Sequence, residues 1–307
     1  MLAYYLHNLD PFVFRITESF GPRWYGLAYV LGFLCGYLVL KKLAVKGYSQ
    51  LKPDQVADFI VLAALFGVML GGRLGYMLLY NRQEFFANPL SLFNILGGGM
   101  ASHGGFLGLF LFVLVYGKIK KLSFAGLADD LVCVGPIGVF FGRVANFING
   151  ELYGRATQVA WAVQFPNELH DNPSLYYETA QAAPGEFQDV NHLLYESKTN
   201  PAVADALREH LTPRHPSQLY EAFLEGALLF AIIMFIRLKF KNLRYGVLAG
   251  TFFILYALAR IGVEFFREID KGQTPILGLN PGQFYSFFMI VLGIIFLLHA
   301  RTHPRKT

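Results

Sequence analysis

GRVANFINGELYG, residues 142–154, is the stretch that decides how the rest of the chain is read. It closes a strongly apolar run, yet Arg143, Asn146, Asn149 and Glu151 fall within it. Arg143, Asn146 and Asn149 are spaced i, i+3 and i+6, so on a helix they share roughly one face, with Phe147 and Ile148 on the other. An arginine and two amides in or beside hydrocarbon are expensive, and a chain keeps them there when they have partners or a task. The remaining sequence reads as a membrane frame around this segment.

The composition agrees with that frame. Of 307 residues, 54% are hydrophobic and only 15% charged, and mean hydropathy is +0.41. A soluble domain carries about 25% charge. Several apolar runs approach the roughly 20 residues that cross a bilayer, so the fold class is an all-α polytopic membrane protein. The net charge of +5 does not indicate nucleic acid, because the basic residues cluster in short loops, where they set orientation. Cys35 and Cys133 both lie inside apolar runs and read as small buried hydrophobes, with no CxxC and no disulfide framework. The start of the chain lacks a basic n-region, and Asp10 and Pro11 interrupt it, so no cleavable signal peptide is expected. No P-loop, GxSxG or HExxH motif occurs, and neither metal nor cofactor is expected.

Outward from the motif, seven spans are predicted near 24–40, 56–80, 100–116, 124–147, 216–236, 246–266 and 283–300, preceded by an interfacial segment over 1–22. Basic clusters follow the odd-numbered spans: Lys41, Lys42, Lys46 and Lys52; Lys118, Lys120 and Lys121; Arg237, Lys239, Lys241 and Arg244; and Arg301, Arg305 and Lys306. The positive-inside rule then places the N-terminus outside and the C-terminus in the cytoplasm. Three regions result: 1–149, the interfacial segment and spans one to four; 150–214, a polar stretch outside the membrane with five prolines and no crossing run; and 215–307, spans five to seven and the tail.

At 1.5 Å per residue, this topology carries Arg143 about 28 Å along span four, Arg260 about 21 Å along span six and Arg73 about 26 Å along span two. Tyr25, His103 and His215 open spans one, three and five from the same side. Polar groups of six spans therefore gather in one layer and do not trace a path through the bilayer. Tyr256, Arg260 and Glu264, at i, i+4 and i+8, form one stripe. It reads either as a self-neutralising Arg–Glu pair or as an anion site, since guanidinium matches phosphate oxygens with paired donors. Arg143 would supply a second fork, and two such arginines near one interface suit a phospholipid head group. His103, flanked by Gly97 to Gly99 and by Gly104 and Gly105, is a satisfied interfacial residue or a base. Arg73, in GGRLGY, is expected to pair with an acidic group such as Glu151. Glu225, about 14 Å into span five, needs a partner or a proton. Asp129 and Asp130 are expected to be solvated. A transporter would use buried charges such as Glu225, Arg73 and Arg260, but along the midplane and with paired broken helices. A seven-span receptor would have no need of two membrane arginines beside a glycine-rich HGG turn.

At these residues the chain resembles the bacterial prolipoprotein diacylglyceryl transferase family. Gly142, Arg143, Asn146, Phe147, Asn149, Glu151 and Gly154 fit its signature. WYGL with Tyr25, GGRLGY with Arg73, HGG with His103, RHPSQLYE at 214–221 and the run from Tyr256 to Arg267 agree in order. Little resemblance is evident over 156–212. Ala101-Ser102 before His103, and Asn280-Pro281 before Gly282-Gln283 where Met usually precedes Gly, depart from the pattern.

The resemblance implies a seven-span body with a periplasmic head, in the bacterial inner membrane. It implies transfer of diacylglycerol from phosphatidylglycerol to the sulfur of a lipobox cysteine in a prolipoprotein signal peptide, with membrane lipids as the surroundings. Arg143 and Arg260 would then meet the phosphate. Asn146 and Glu151 would hold the head group and orient Arg143, and Glu264 would position Arg260. Gly154, Tyr256 and Arg73 would complete the binding set, with His103 as the base and Tyr25 as the alternative.

Overall fold

The computed structural model describes residues 4–17, 20–94, 99–269 and 274–303, with the Ser102 side chain outside that description. Gly97 and Gly98 beside His103, and Arg305 and Lys306 of the tail, also lie outside the described residues. The chain is mostly helical. The long helices are α1 (Trp24–Val45), α2 (Gln55–Leu79), α3 (Ser102–Lys120), α4 (Phe124–Ile148), α5 (Ser217–Lys239), α6 (Val247–Val263) and α7 (Pro281–Thr302). Among the described residues, six are long and apolar enough to cross a membrane, and α6, with 17 residues, is shorter. Large apolar side chains such as Leu38, Phe66, Phe106, Phe235 and Phe288 point away from any protein cover, as they do when lipid is the solvent. The chain is a polytopic membrane protein.

The helices are not uniform. Residues Ala63–Leu70 of α2 and Ala222–Leu228 of α5 are π-helical, and α4 is interrupted at Cys133 and Val134. Wide turns of this kind re-aim the side chains that follow them and are frequent at functional sites.

Contacts divide the chain into two compact units. One comprises residues 32–137, 230–254 and 291–307. Its helix pair α2–α3 is built on small residues. A Cβ placed on Gly71 would lie 2.6 Å from the Gly104 carbonyl oxygen, and one on Gly75 would lie 2.6 Å from Gly104 Cα. The two backbones therefore touch, which is how helices associate where apolar burial offers no driving force. In the same unit Asp129 and Asp130 are each only 2% exposed. Asp129 accepts from Gly246 N and Ala249 N, both at 2.8 Å, capping the start of α6, and Asp130 accepts from Ser49 Oγ at 2.7 Å. The expectation that this pair is solvated is overturned. Nearness to a helix start in sequence does not reveal that another helix end docks on it and needs an acceptor.

The other unit comprises residues 4–31, 138–229 and 255–290 of the description. A small sheet pairs β1 (Tyr5–Leu6) parallel to β2 (Val163–Gln164), and β2 antiparallel to β3 (Pro213–Arg214). Four short helices follow β2: Glu168–Asp171, Pro173–Ala182, Val190–Glu196 and Pro201–His210. Two of the prolines that look like loop breakers start helices instead. Asn172 caps Leu175 N ahead of Pro173, and Asn200 caps Ala202 N ahead of Pro201. Leu6, Leu169, Leu193, Val203, Leu207 and Leu211 form their common core.

A candidate active site of paired arginines and carboxylates

The GRVANFINGELYG segment folds locally for a reason visible in its residues. Gly150 adopts φ +66°, and the Gly150 and Glu151 amides donate back to the carbonyls of Phe147 and Asn146. This double closure is the standard glycine-terminated helix end. It turns the chain under the last helical turn and returns Glu151 to Asn146. Asn146 Nδ2 uses its two protons on Glu151 Oε1 and Tyr25 Oη, both at 2.8 Å. Its Oδ1 receives a longer contact from Arg143 Nη1 at 3.5 Å. Tyr25 Oη is thus an acceptor from Asn146.

Arg143 does not stand alone. Its Nη2 lies 2.9 Å from Glu221 Oε2 and 4.0 Å from Glu225 Oε2. Arg260 Nη1 lies 2.8 Å from the same Glu221 Oε2 and 3.4 Å from Glu225 Oε1. Arg267 Nη1 is 3.1 Å from both oxygens of Glu221. Glu264 Oε1 lies 2.7 Å from Arg260 Nη2 and 3.5 Å from Arg267 Nε. Tyr256, one turn before Arg260, donates to Glu225. The predicted in-helix pair of Arg260 and Glu264 therefore forms, but within a larger set. Arg143, Arg260 and Arg267 oppose Glu221, Glu225 and Glu264, so these six groups sum to zero formal charge.

Burial sorts them. The carboxylates of Glu221 and Glu225 are fully enclosed and Arg267 nearly so, whereas Arg143 and Arg260 keep 22% and 15% of their side chains accessible. The carboxylates hold the guanidiniums from the buried side, and the accessible edges belong to Arg143 and Arg260. Sequence reasoning gave Glu221 and Arg267 no role. A signal was present: two acids at i, i+4 in an apolar span must be met by cations.

Neighbouring features support this unit. Gly154 is enclosed by backbone. Its amide donates to His215 O at 2.9 Å, and a Cβ there would strike the carbonyl oxygens of Phe266 and His215. Close packing accounts for this glycine. Arg214 pairs with Glu168 and Glu268 and lies 4.9 Å over the Tyr153 ring. Burial opposes its charge, yet the two carboxylates hold its pKa above the usual arginine value. His7 packs on Phe147 and Phe165, and its Nε2 donates to Phe147 O at 2.7 Å. Burial lowers its pKa.

Arg73 and His103 belong to the other unit. The partner expected for Arg73 was a carboxylate such as Glu151. Instead its guanidinium donates to the carbonyls of Ser91, Leu92, Asn94 and Gly99 at 2.8–3.2 Å, while Glu151 serves Asn146. The carbonyls of Ser91, Leu92, Asn94 and Gly99 need a donor, and one guanidinium fork satisfies several at once. His103 is exposed in the first turn of α3. Among the described residues, no group of three or more His, Cys, Asp or Glu is arranged to hold a metal ion.

Fold and site together define a polytopic helical membrane protein with buried arginine–carboxylate pairing. A sequence model described as prolipoprotein diacylglyceryl transferase matches residues 11–299. The chain is 38% identical over 291 residues to a phosphatidylglycerol–prolipoprotein diacylglyceryl transferase of Rickettsia felis, covering 93% of this chain and 95% of that one. It is 36% identical over 330 residues to one of Bdellovibrio bacteriovorus (95% and 93% covered) and 39% identical over 311 residues to one of Allorhizobium ampelinum (97% and 92%). The chain belongs to the prolipoprotein diacylglyceryl transferase family.

Proposed function

We propose that this chain transfers the diacylglyceryl group of phosphatidylglycerol to the sulfhydryl of the lipobox cysteine in a prolipoprotein signal peptide, the first step of lipoprotein maturation. The observation that carries the reading is the seating of Arg143 and Arg260 on one buried oxygen, Glu221 Oε2, at 2.9 and 2.8 Å, with their outer edges accessible. The substrate thiolate attacks the glycerol carbon that bears the phosphate. The C–S bond forms as the C–O bond breaks, and the electron pair leaves on oxygen as glycerol 1-phosphate. The thiol proton passes to a base. Negative charge grows on the departing phosphate, where guanidiniums already in place stabilise it more than they stabilise the bound lipid. Asn146 and Glu151 orient Arg143, and Glu264 orients Arg260. The nucleophile is the substrate cysteine, reactive as thiolate, and not the chain's own Cys35 or Cys133. His103 and Tyr25 are the proposed proton acceptors.

The same reading places the protein in the bacterial inner membrane with seven spans, α6 included. Its N-terminus and the 150–214 head are periplasmic, its C-terminus is cytoplasmic, and its active site faces the periplasm. The alternation of basic loops supports this orientation, and the 17 residues of α6 extend about 26 Å, near the hydrocarbon thickness.

The test is transfer in detergent micelles, with purified protein, labelled phosphatidylglycerol and a lipobox peptide, and a Cys→Ser peptide as control. Label on the cysteine peptide alone, with glycerol phosphate released, is expected. No transfer from any anionic phospholipid would overturn the proposal. The double variant Arg143→Gln/Arg260→Gln should transfer nothing.

A further inference from the structure

The start of α7 touches the arginine cluster in a way that its own helix does not require. Asn280 precedes Pro281, and its backbone N–H is met by Gln283 Oε1 at 3.2 Å. In such a turn the asparagine side chain ordinarily accepts from its own helix. Here Asn280 Nδ2 reaches across to Glu264, at 3.3 Å from Oε2 and 3.4 Å from the backbone oxygen. Two residues on, Gly282 has no left-handed backbone, so its conformation does not call for glycine. Space does. A Cβ on Gly282 would overlap Glu264 Oε1, and it would lie 2.6 Å from Glu264 Cδ and 3.0 Å from Arg260 Nε. A free carboxylate would swing aside, but this one is tied to Arg260 Nη2 at 2.7 Å, to Arg267 Nε at 3.5 Å and to Asn280.

We propose that Asn280 and Gly282 are positioning residues for the transfer reaction: the first turn of α7 seats the Glu264 carboxylate, and that carboxylate sets the guanidinium of Arg260. This rests on the proposed function. Among the described residues, Glu264 is the carboxylate that meets Arg260 Nη2, while Glu221 and Glu225 meet Nη1. Displacing Glu264 therefore rotates the guanidinium plane without removing its charge. Asn280 supplies a donor for the second carboxylate oxygen, Oε2, while Oε1 faces Arg260 and Arg267. Gly282 supplies the space, and the helix start there adds a favourable field for a carboxylate.

The experiment is a rescue. Gly282→Ala should lower kcat/KM for phosphatidylglycerol about 100-fold, the usual effect of moving a positioning group by about 1 Å. Glu264→Asp alone should also lower it, because the shorter carboxylate withdraws from Arg260. In the double variant the added methyl occupies the room the lost methylene gave up. It should therefore be at least about tenfold more active than the product of the single effects. A Gly282→Ala variant with wild-type kcat/KM, or a double variant no better than multiplicative, would overturn the inference. Should Gly282→Ala not fold, Asn280→Ala and Asn280→Asp decide. Asn280→Ala should keep the wild-type melting temperature and lose activity, Asn280→Asp should lose more activity because it repels Glu264, and unchanged activity in both would overturn it. If the wild-type protein transfers nothing, the functional proposal has failed. If it transfers and these variants do so equally well, only the role of α7 has.

Discussion

Glu221→Gln is the substitution that most directly tests the arginine cluster. The carboxylate is fully buried and takes Arg143 at 2.9 Å, Arg260 at 2.8 Å and Arg267 at 3.1 Å. Three arginines against three carboxylates sum to zero, and the substitution leaves +1. Each guanidinium about 3 Å away loses an attraction of roughly 5 kcal/mol at the effective dielectric suited to protein sites. Relaxation and the lower desolvation of a neutral amide return much of this, and removing one partner of a buried pair costs about 3–5 kcal/mol in practice. The new amide N–H groups also face guanidinium donors. At roughly 2–4 °C per kcal/mol, the melting temperature in detergent should fall by about 10 °C. Turnover should fall about 100-fold through misplacement of Arg143 and Arg260, with no rise in KM for phosphatidylglycerol, because the uncompensated arginines attract the anion more strongly. Adding Arg267→Met, which removes one of the uncompensated charges at similar length, should recover part of the lost stability. A Glu221→Gln protein that melts within roughly 2 °C of wild type and turns over normally would refute the cluster. A double variant that loses the full sum of both single effects would refute the charge-balance reasoning.

Asp129→Ala leaves the Gly246 and Ala249 amides at the start of α6 without their acceptor. Thermal melting should show a loss of about 1–3 kcal/mol for each buried donor, whereas a solvated aspartate would cost less than about 0.5 kcal/mol. Arg73→Lys keeps the charge but not the planar fork that serves four carbonyls. Limited proteolysis should show cleavage between residues 88 and 100 at a protease concentration that leaves wild type intact. Burial depresses the pKa of His7 below 6.5 in the folded protein, so the unfolded chain binds more protons between the two values. Stability should therefore be full above pH 6.5 and fall as pH drops through that window. His7→Gln should flatten this slope in a melting series from pH 8 to pH 5 without abolishing it, because burial lowers the pKa of His215 as well.

Much of the frame was legible because hydropathy is a property of each segment. The predicted spans near 24–40 and 283–300 are α1 and α7, and the span near 124–147 is α4 almost residue for residue. The motif was legible for a similarly local reason. Gly150 ends α4 and returns Glu151 to Asn146 within five residues, so the spacing of polar groups already encodes their contact. Glu225 was expected to need a partner, but a glutamate in an apolar span announces a partner without naming it, so the meeting of three arginines on Glu221 one turn earlier was not legible. Asp129 was misread because its acceptors' partner lies 117 residues away. Arg73 was matched to the wrong kind of group, because carbonyls carry no signature in the side-chain sequence.

The amino-acid sequence alone determines that this protein is a polytopic membrane protein, and that arginines and amides near residues 143–151 and 260 are costly to hold in apolar segments. Lipid as solvent penalises every polar atom independently of what lies elsewhere in the fold. Only the tertiary structure decides that three arginines meet on Glu221, that α6 starts on Asp129, and that the first turn of α7 seats Glu264. Charge pairing depends on a few ångströms between segments far apart in the chain, and no local pattern carries that distance.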